Sequence, residues 1–376
     1  MTLTSEKISC ININKNELAI LSLIQIKALS NTDRLINDEE QGEFSEFLFN
    51  SLSFYPSFAL NGDLSNKKFS KKLLLKCEDE IVGSLEDVST FSSKKKIASI
   101  FSPNLCYIEN NNPGLCAKVN IYNNPYQKIK QDVENKIKKS NAKKITAIML
   151  DASPLTRAHE RMLRWTIDKA DLVLIFVVDA KDEFSMQIKK ECFDFFTKNY
   201  LPLDKIYTIY LENLELFSKD PNYECLLVKS FGANKFVIEQ NHPGIGLLYD
   251  NFTFNSFLNE LSKKTELELI ILPEFAFCNQ CNIMVSVKSC PHGAHHHIKY
   301  DMQCIRKLLT LGIMPPTVLI RKEISAKLLS YLFKDKIKNI DSFYSRVFPS
   351  NGIIKSRSEE EFYIDLASLY QTNYFI

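Results

Sequence analysis

Ile145-Thr-Ala-Ile-Met-Leu150 is followed by Asp151-Ala-Ser-Pro-Leu-Thr156 and then by Arg157-Ala-His-Glu-Arg-Met-Leu-Arg-Trp-Thr-Ile-Asp-Lys169. A short continuous apolar run that ends in a Pro-containing turn reads as a buried strand, and the stretch after it reads as a helix. The seven apolar residues Leu172 to Val178 predict a second buried strand. A helix over 186–200, a short strand over 205–211, a helix over 222–231 and a strand over 235–239 follow. Strands alternating with helices predict a parallel α/β sheet. Ligands bind such sheets beyond the carboxyl ends of the strands. His159 lies just past the first strand and His242 just past the last, so two of the few histidines fall where a site is expected.

Composition narrows the options. The chain has 376 residues, 45 % of them hydrophobic and 24 % charged, enough for more than one packed core. Lys plus Arg number 47 and Asp plus Glu 45. That balance gives no reason to expect a nucleic-acid partner. The start is polar, and an apolar run of seven residues is too short to cross a bilayer, so the expectation is a cytoplasmic protein without a membrane partner. Only ten glycines occur. None precedes a lysine and no three fall in G-x-G-x-x-G spacing, so a nucleotide would have to be held by another device. Most of the ten cysteines are scattered and read as buried thiols.

Residues 1–122 read as a separate, mostly β unit with some helix, in which apolar runs such as 18–25 and 72–76 alternate with polar turns. Residues 123–143 are rich in lysine, which fits a solvated linker helix better than an anion-steering patch. Residues 302–334 show a helical pattern, and 335–376 are charged and aromatic with no role assigned.

Cys278-Asn-Gln-Cys281, Cys290 and the run Pro291-His-Gly-Ala-His-His-His297 form a metal constellation. A C-x2-C pair followed within twenty residues by Cys and His is a strong zinc signal, with soft and borderline ligands for a closed structural tetrahedron. The expected ligands are Cys278, Cys281, Cys290 and His295, with His292 and His296 as alternates.

Pro154-Leu-Thr-Arg-Ala-His-Glu160 opens a helix after a strand. Two side chains one turn apart, together with helix N-terminal amides, can face phosphates. The segment Phe277–His297 closely resembles the zinc segment of bacterial and archaeal ATP sulfurylases. Ile305–Pro316 and Arg321–Ile324 are similar to that family's C-terminal stretch, and Phe231–Gly246 is similar to its glycine- and histidine-bearing segment. Asn112-Pro-Gly114 is similar to the H-P-G near the end of its first domain. The resemblance covers roughly 144–330, is faint over 1–122 and is absent after about 335.

The resemblance implies an α/β fold class: a Rossmann-like nucleotidyltransferase catalytic domain over 144–270, an N-terminal PUA-like β-rich domain and a small zinc-binding C-terminal subdomain over 271–334. It implies ATP with Mg2+, structural Zn2+, and a homo-oligomer. It implies the reaction of ATP with sulfate, in which an acceptor oxyanion attacks the α-phosphorus in line and pyrophosphate leaves. Thr156, Arg157 and His159 would act on the phosphates, and His242, Gly244 and Arg306 would hold the nucleotide. The acceptor positions depart from the family. Leu150 and Ala152 stand for its Gln and Arg, Ser153 for its Asn, and Gln240 for its second Arg. Losing a charge-assisted contact costs about 1.5–3 kcal/mol, so two losses weaken a small dianion by about two to four decades. The expected activity is adenylyl transfer to sulfate or to a less anionic acceptor. The alternatives are a catalytically inactive homologue that binds or scaffolds, and a plain zinc-dependent interaction module.

Overall fold

The computed structural model describes residues 8–29, 32–36, 58–59, 68–92, 97–98, 107–108, 113–179, 182–214, 221–239, 254–336, 339–348 and 358–371. By packing, the chain forms two compact units that interleave along the sequence. The first takes 1–149, 170–179 and 207–271; the second takes 150–169, 180–206 and 272–376.

The first unit holds two main sheets. One is six-stranded, in the order β1 (Ile8–Asn12), β4 (Phe69–Cys77), β5 (Glu80–Phe91), β8 (Gly114–Ile121), β2 (Arg34–Leu35), with β3 (Phe58–Ala59) also on β8. β1 and β4 run parallel, and the remaining pairs are antiparallel. Glu78 and Asp79 join β4 to β5 with both φ angles positive (47° and 70°), the tight turn whose twist suits a hairpin. Gly83 lets β5 approach β8 closely: a Cβ there would lie 2.6 Å from the Asn120 carbonyl oxygen. β6 (Ile97–Ala98) and β7 (Tyr107–Ile108) form a separate antiparallel pair.

Helix α1 (Lys15–Gln25) buries Ala19 to Ile24. The apolar run at 18–25 is therefore helical. Asn14 and Glu17 close it with a reciprocal capping box. The lysine-rich segment forms helix α2 (Pro125–Ser140), which buries Tyr126 and Val133 and leaves most of its lysines in solvent.

The second sheet is the α/β sheet anticipated above. Its order is β11 (Ile206–Leu211), β10 (Leu172–Val178), β9 (Ile145–Leu150), β12 (Lys235–Glu239), β13 (Glu268–Leu272), with β9 and β12 parallel. The sequence order reverses beside β9, as in Rossmann-like folds. All seven residues of β10 are buried, which explains its uninterrupted apolar sequence. Phe176 of β10 meets Phe231 edge-on at 5.6 Å, just after helix α5 (Pro221–Ser230). Helix α6 (Phe254–Thr265) follows. One apolar core joins the two sheets of this unit, running from Leu73, Leu85 and Val119 to Leu174, Phe176 and Phe236.

The second unit contains helix α3 (Arg157–Asp168), helix α4 (Met186–Tyr200) and a three-stranded hairpin sheet, β15 (Ile283–Ser286), β14 (Phe275–Cys278), β16 (His297–Lys299). Helices α7 (Met302–Thr310), α8 (Lys322–Leu332), α9 (Ile340–Val347) and α10 (Glu359–Gln371) complete it. α8 packs on α4 and on α10. The Lys327–Glu360 ion pair (3.0 Å) and a Lys322 to Ser368 hydrogen bond (2.9 Å) fasten α10, so part of the tail without an assigned role is a packed element. No helix among the described residues is long and apolar enough to cross a membrane.

Candidate functional site

Thr156 caps α3 in extended backbone (φ −106°, ψ 172°). Its hydroxyl oxygen accepts the His159 amide N–H at 3.5 Å, and its own amide N–H donates to His159 Nδ1 at 3.0 Å. This is a reciprocal capping box with histidine at the third position. Because Nδ1 accepts a backbone N–H, the neutral ring carries its proton on Nε2. Burial pushes the His159 imidazole down to about 4, so at neutral pH it is an uncharged Nε2–H donor held in one orientation.

Arg157, expected on the phosphates, makes its bonds to protein groups. Its Nε donates to the Thr317 carbonyl at 3.2 Å, its Nη1 to Glu160 Oε2 at 3.0 Å, and its amide N–H to the Leu319 carbonyl at 2.8 Å. The cause is Glu160, a nearly buried carboxylate that gathers three guanidinium groups. Arg321 binds it through two nitrogens at 2.6 and 2.9 Å, and Arg164 donates at 3.0 Å. Burial alone would raise the Glu160 carboxyl, but Arg321, then Arg164 and Arg157, hold it down to about 2. Arg321 also lies 3.6 Å above the Tyr200 ring.

The loop before α3 turns on Ser153, which is fully buried. Its hydroxyl donates to Asp182 Oδ2, and its carbonyl accepts Arg306 Nη1 at 2.9 Å. Asp182 also accepts the Phe184 amide at 2.8 Å and pairs with Lys189 Nζ at 3.2 Å, both side chains being buried. Arg306, expected on the nucleotide, is therefore committed to Ser153 and, at 3.5 Å, to Glu183. Ala152 is buried with φ +40°, and the Ser153–Pro154 peptide is cis. Leu150 is buried at the end of β9. Gln240, His242 and Gly244 lie outside the described residues.

The metal constellation converges, with one change of ligand. Cys278, Cys281, Cys290 and His292 place their ligand atoms within 4.8 Å of one another. His292 Nδ1 lies 3.5, 3.3 and 3.7 Å from the three sulfurs, and Cys281 and Cys290 sulfurs are 3.9 Å apart. A tetrahedral zinc site, with Zn–S of about 2.3 Å and Zn–N of about 2.0–2.1 Å, has edges of about 3.8 Å between sulfurs and about 3.5 Å from sulfur to nitrogen. The spacing fits that cage and is far from the roughly 2.05 Å of a disulfide. Burial opposes ionisation of Cys278, yet the backbone N–H groups of Cys281 and Gln280 bring its thiol to about 7. His295, the expected fourth ligand, is not part of this cluster. It lies on the short 3-10 turn Ala294–His296 after Gly293 and stacks on His296 at 4.1 Å, while His296 is tied to Asn279 at 2.9 Å.

Sequence reasoning missed Glu160, Arg321, Asp182 and Lys189 as organising residues. Glu160 and Arg321 stood inside quoted motifs, but nothing in their spacing pairs them.

Comparisons with known proteins identify relatives of the chain. A sulfate adenylyltransferase from Persephonella marina is 26 % identical over 204 residues, covering 53 % of this chain and 53 % of its own length. One from Carboxydothermus hydrogenoformans is 22 % identical over 282 residues, covering 69 % and 74 %. One from Staphylothermus marinus is 21 % identical over 297 residues, covering 73 % and 76 %. The match thus spans about half the length of the first of these relatives. Among solved structures, hexameric APS kinase from Thiobacillus denitrificans superposes with a TM-score of 0.60 at 13 % identity, covering 85 % of this chain and 62 % of that one, which is a likeness of fold. The ATP-sulfurylase family model matches residues 124–331, more than half of the chain, and the chain belongs to that family.

Proposed function

We propose that the chain is a nucleotidyltransferase of the sulfate adenylyltransferase type. It would join ATP, with Mg2+, to a small acceptor and release pyrophosphate. The observation that carries this reading is the Thr156–His159 capping box, which fixes a neutral Nε2–H donor at the start of α3. An acceptor oxygen would attack the α-phosphorus as the bond to the bridging oxygen breaks, and the electron pair leaves with pyrophosphate. His159 would donate to the leaving phosphates, where fixed donors stabilise developing charge. Arg157 acts through Glu160 by anchoring α3. His242, Gly244 and Gln240 keep their expected roles at the nucleotide and acceptor.

The acceptor is sulfate or a less anionic group. Leu150, Ala152 and Ser153 place no cation in the loop, and the neighbouring Lys189 and Arg306 already face Asp182 and Glu183. Cys278, Cys281, Cys290 and His292 would hold a structural zinc that ties the β14–β15 hairpin to the turn before β16. An N-terminal PUA-like domain, a homo-oligomer and a cytoplasmic setting complete the reading.

A second reading, a homologue that binds without catalysis, draws support from the commitment of Arg157 and Arg306 to protein partners. One experiment separates the two. Pyrophosphate release from Mg-ATP is measured with pyrophosphatase present, with sulfate, molybdate or no added acceptor. Release that depends on an oxyanion and disappears in His159→Ala supports transfer. No release, together with ATP binding far weaker than cellular ATP concentrations, supports the second reading.

A further inference from the structure

We infer that the outward face of α3 and the zinc hairpin frame a second ligand site, for a small organic phosphate with a flat apolar portion. An α-helix turns about 100° per residue, so Arg157, Arg161 and Arg164 share one face and His159 lies on roughly the opposite one. Those three arginines, all from α3, form one wall of an open surface cleft of about 360 Å³. Phe277, Met284 and Tyr300, from the hairpin sheet and the turn after it, form the other. Arg157 and Arg164 already donate to Glu160 and to the Thr317 and Tyr200 carbonyls, whereas no carboxylate among the described residues pairs with the exposed Arg161, which is therefore the group left to meet a phosphate. Glu160, the one acid in the lining, divides its charge among Arg157, Arg164 and Arg321. The cavity therefore keeps an excess of positive charge on one side and apolar surface on the other.

Size decides the class of ligand. Arg157 to Arg164 spans about 10 Å along the helix, and the volume is that of a small-molecule site. Guanidinium groups bind phosphate oxygens, and a flat ring can lie on the Phe277–Met284–Tyr300 wall. Neither requirement involves the Thr156–His159 face, so this site stands or falls apart from the proposed reaction.

The test is equilibrium dialysis of the 376-residue chain, purified with zinc in the buffer, against 1-naphthyl phosphate at low and high salt. One equivalent is expected to bind, more weakly in high salt, and 1-naphthol is expected not to bind measurably. Arg161→Glu and Met284→Glu, on opposite walls, should each weaken binding by about tenfold or more, from loss of a charge-assisted or apolar contact. His159→Ala should leave it unchanged. Circular dichroism and retained zinc verify that the variants are folded. Absence of binding in the millimolar range, wild-type affinity in both wall variants, or loss of binding in His159→Ala would each overturn the inference. Loss of ATP binding in His159→Ala with naphthyl phosphate binding intact would bear on the other face alone.

Discussion

Replacing Glu160 by Gln should destabilise the second unit by about 3 kcal/mol at neutral pH. The folded carboxyl titrates at about 2 against an ordinary glutamate value of 4.5, and that gap corresponds to about 3 kcal/mol in favour of the ionised form. Glutamine keeps the shape and hydrogen-bonding capacity of the protonated acid but cannot offset three guanidinium groups. The pH dependence follows from linkage. The unfolded chain takes up the proton near 4.5 and the folded chain only near 2, so the stabilisation is complete above 4.5 and is lost as pH falls from there towards 2. The chain has a single tryptophan, Trp165, and it lies on α3 itself, with Lys169 Nζ 3.7 Å above its ring. Urea unfolding followed by tryptophan fluorescence therefore reports on the helix in question. The wild type should lose stability between pH 5 and 2.5, and Glu160→Gln should start lower and lose less. Equal midpoints at pH 7 and parallel pH profiles would refute the reasoning.

If the Cys278, Cys281, Cys290 and His292 cluster holds zinc as proposed, metal analysis should find one equivalent that His292→Ala abolishes and His295→Ala keeps. His159 has a lowered folded value of about 4 against 6.5, so the chain should lose up to about 3 kcal/mol as pH falls from 6.5 towards 4, and His159→Gln should flatten that part of the curve. Lys189→Met strands the Asp182 carboxylate in the interior and should cost about 3–5 kcal/mol in thermal unfolding, with Asp182→Asn in the same chain recovering most of it.

Much of the α/β region was legible because its signals are local. The apolar run Leu172–Val178 and the strand Lys235–Glu239 match the structure residue for residue, and the helix expected over 186–200 is α4. Burial on both faces of a strand writes itself as an unbroken apolar run. The N-terminal region was less legible. The run at 18–25 fits strand or helix by hydrophobicity, and the deciding signal was the Asn14–Glu17 capping box just upstream. The Cys/His cluster was legible as a set of cysteines but not as a choice of histidine. Four histidines fall within six residues, and the turn through Gly293 selects among them. The Glu160 cluster was invisible for a different reason: 161 residues separate Glu160 from Arg321, and no period or motif encodes such a pairing.

That separation has a consequence for synthesis. Ribosomes add about 5–20 residues per second, so Arg321 is made some 10–30 s after Glu160. During that interval the helix carrying Thr156 and His159 has its first-turn carboxylate but lacks the two-pronged partner that fastens it. The Leu319 carbonyl that takes the Arg157 amide arrives equally late. The amino-terminal turn of α3 gains these partners only once Arg321 has been made, so a truncation anywhere before Arg321 would leave Thr156 and His159 present in sequence but without their anchor.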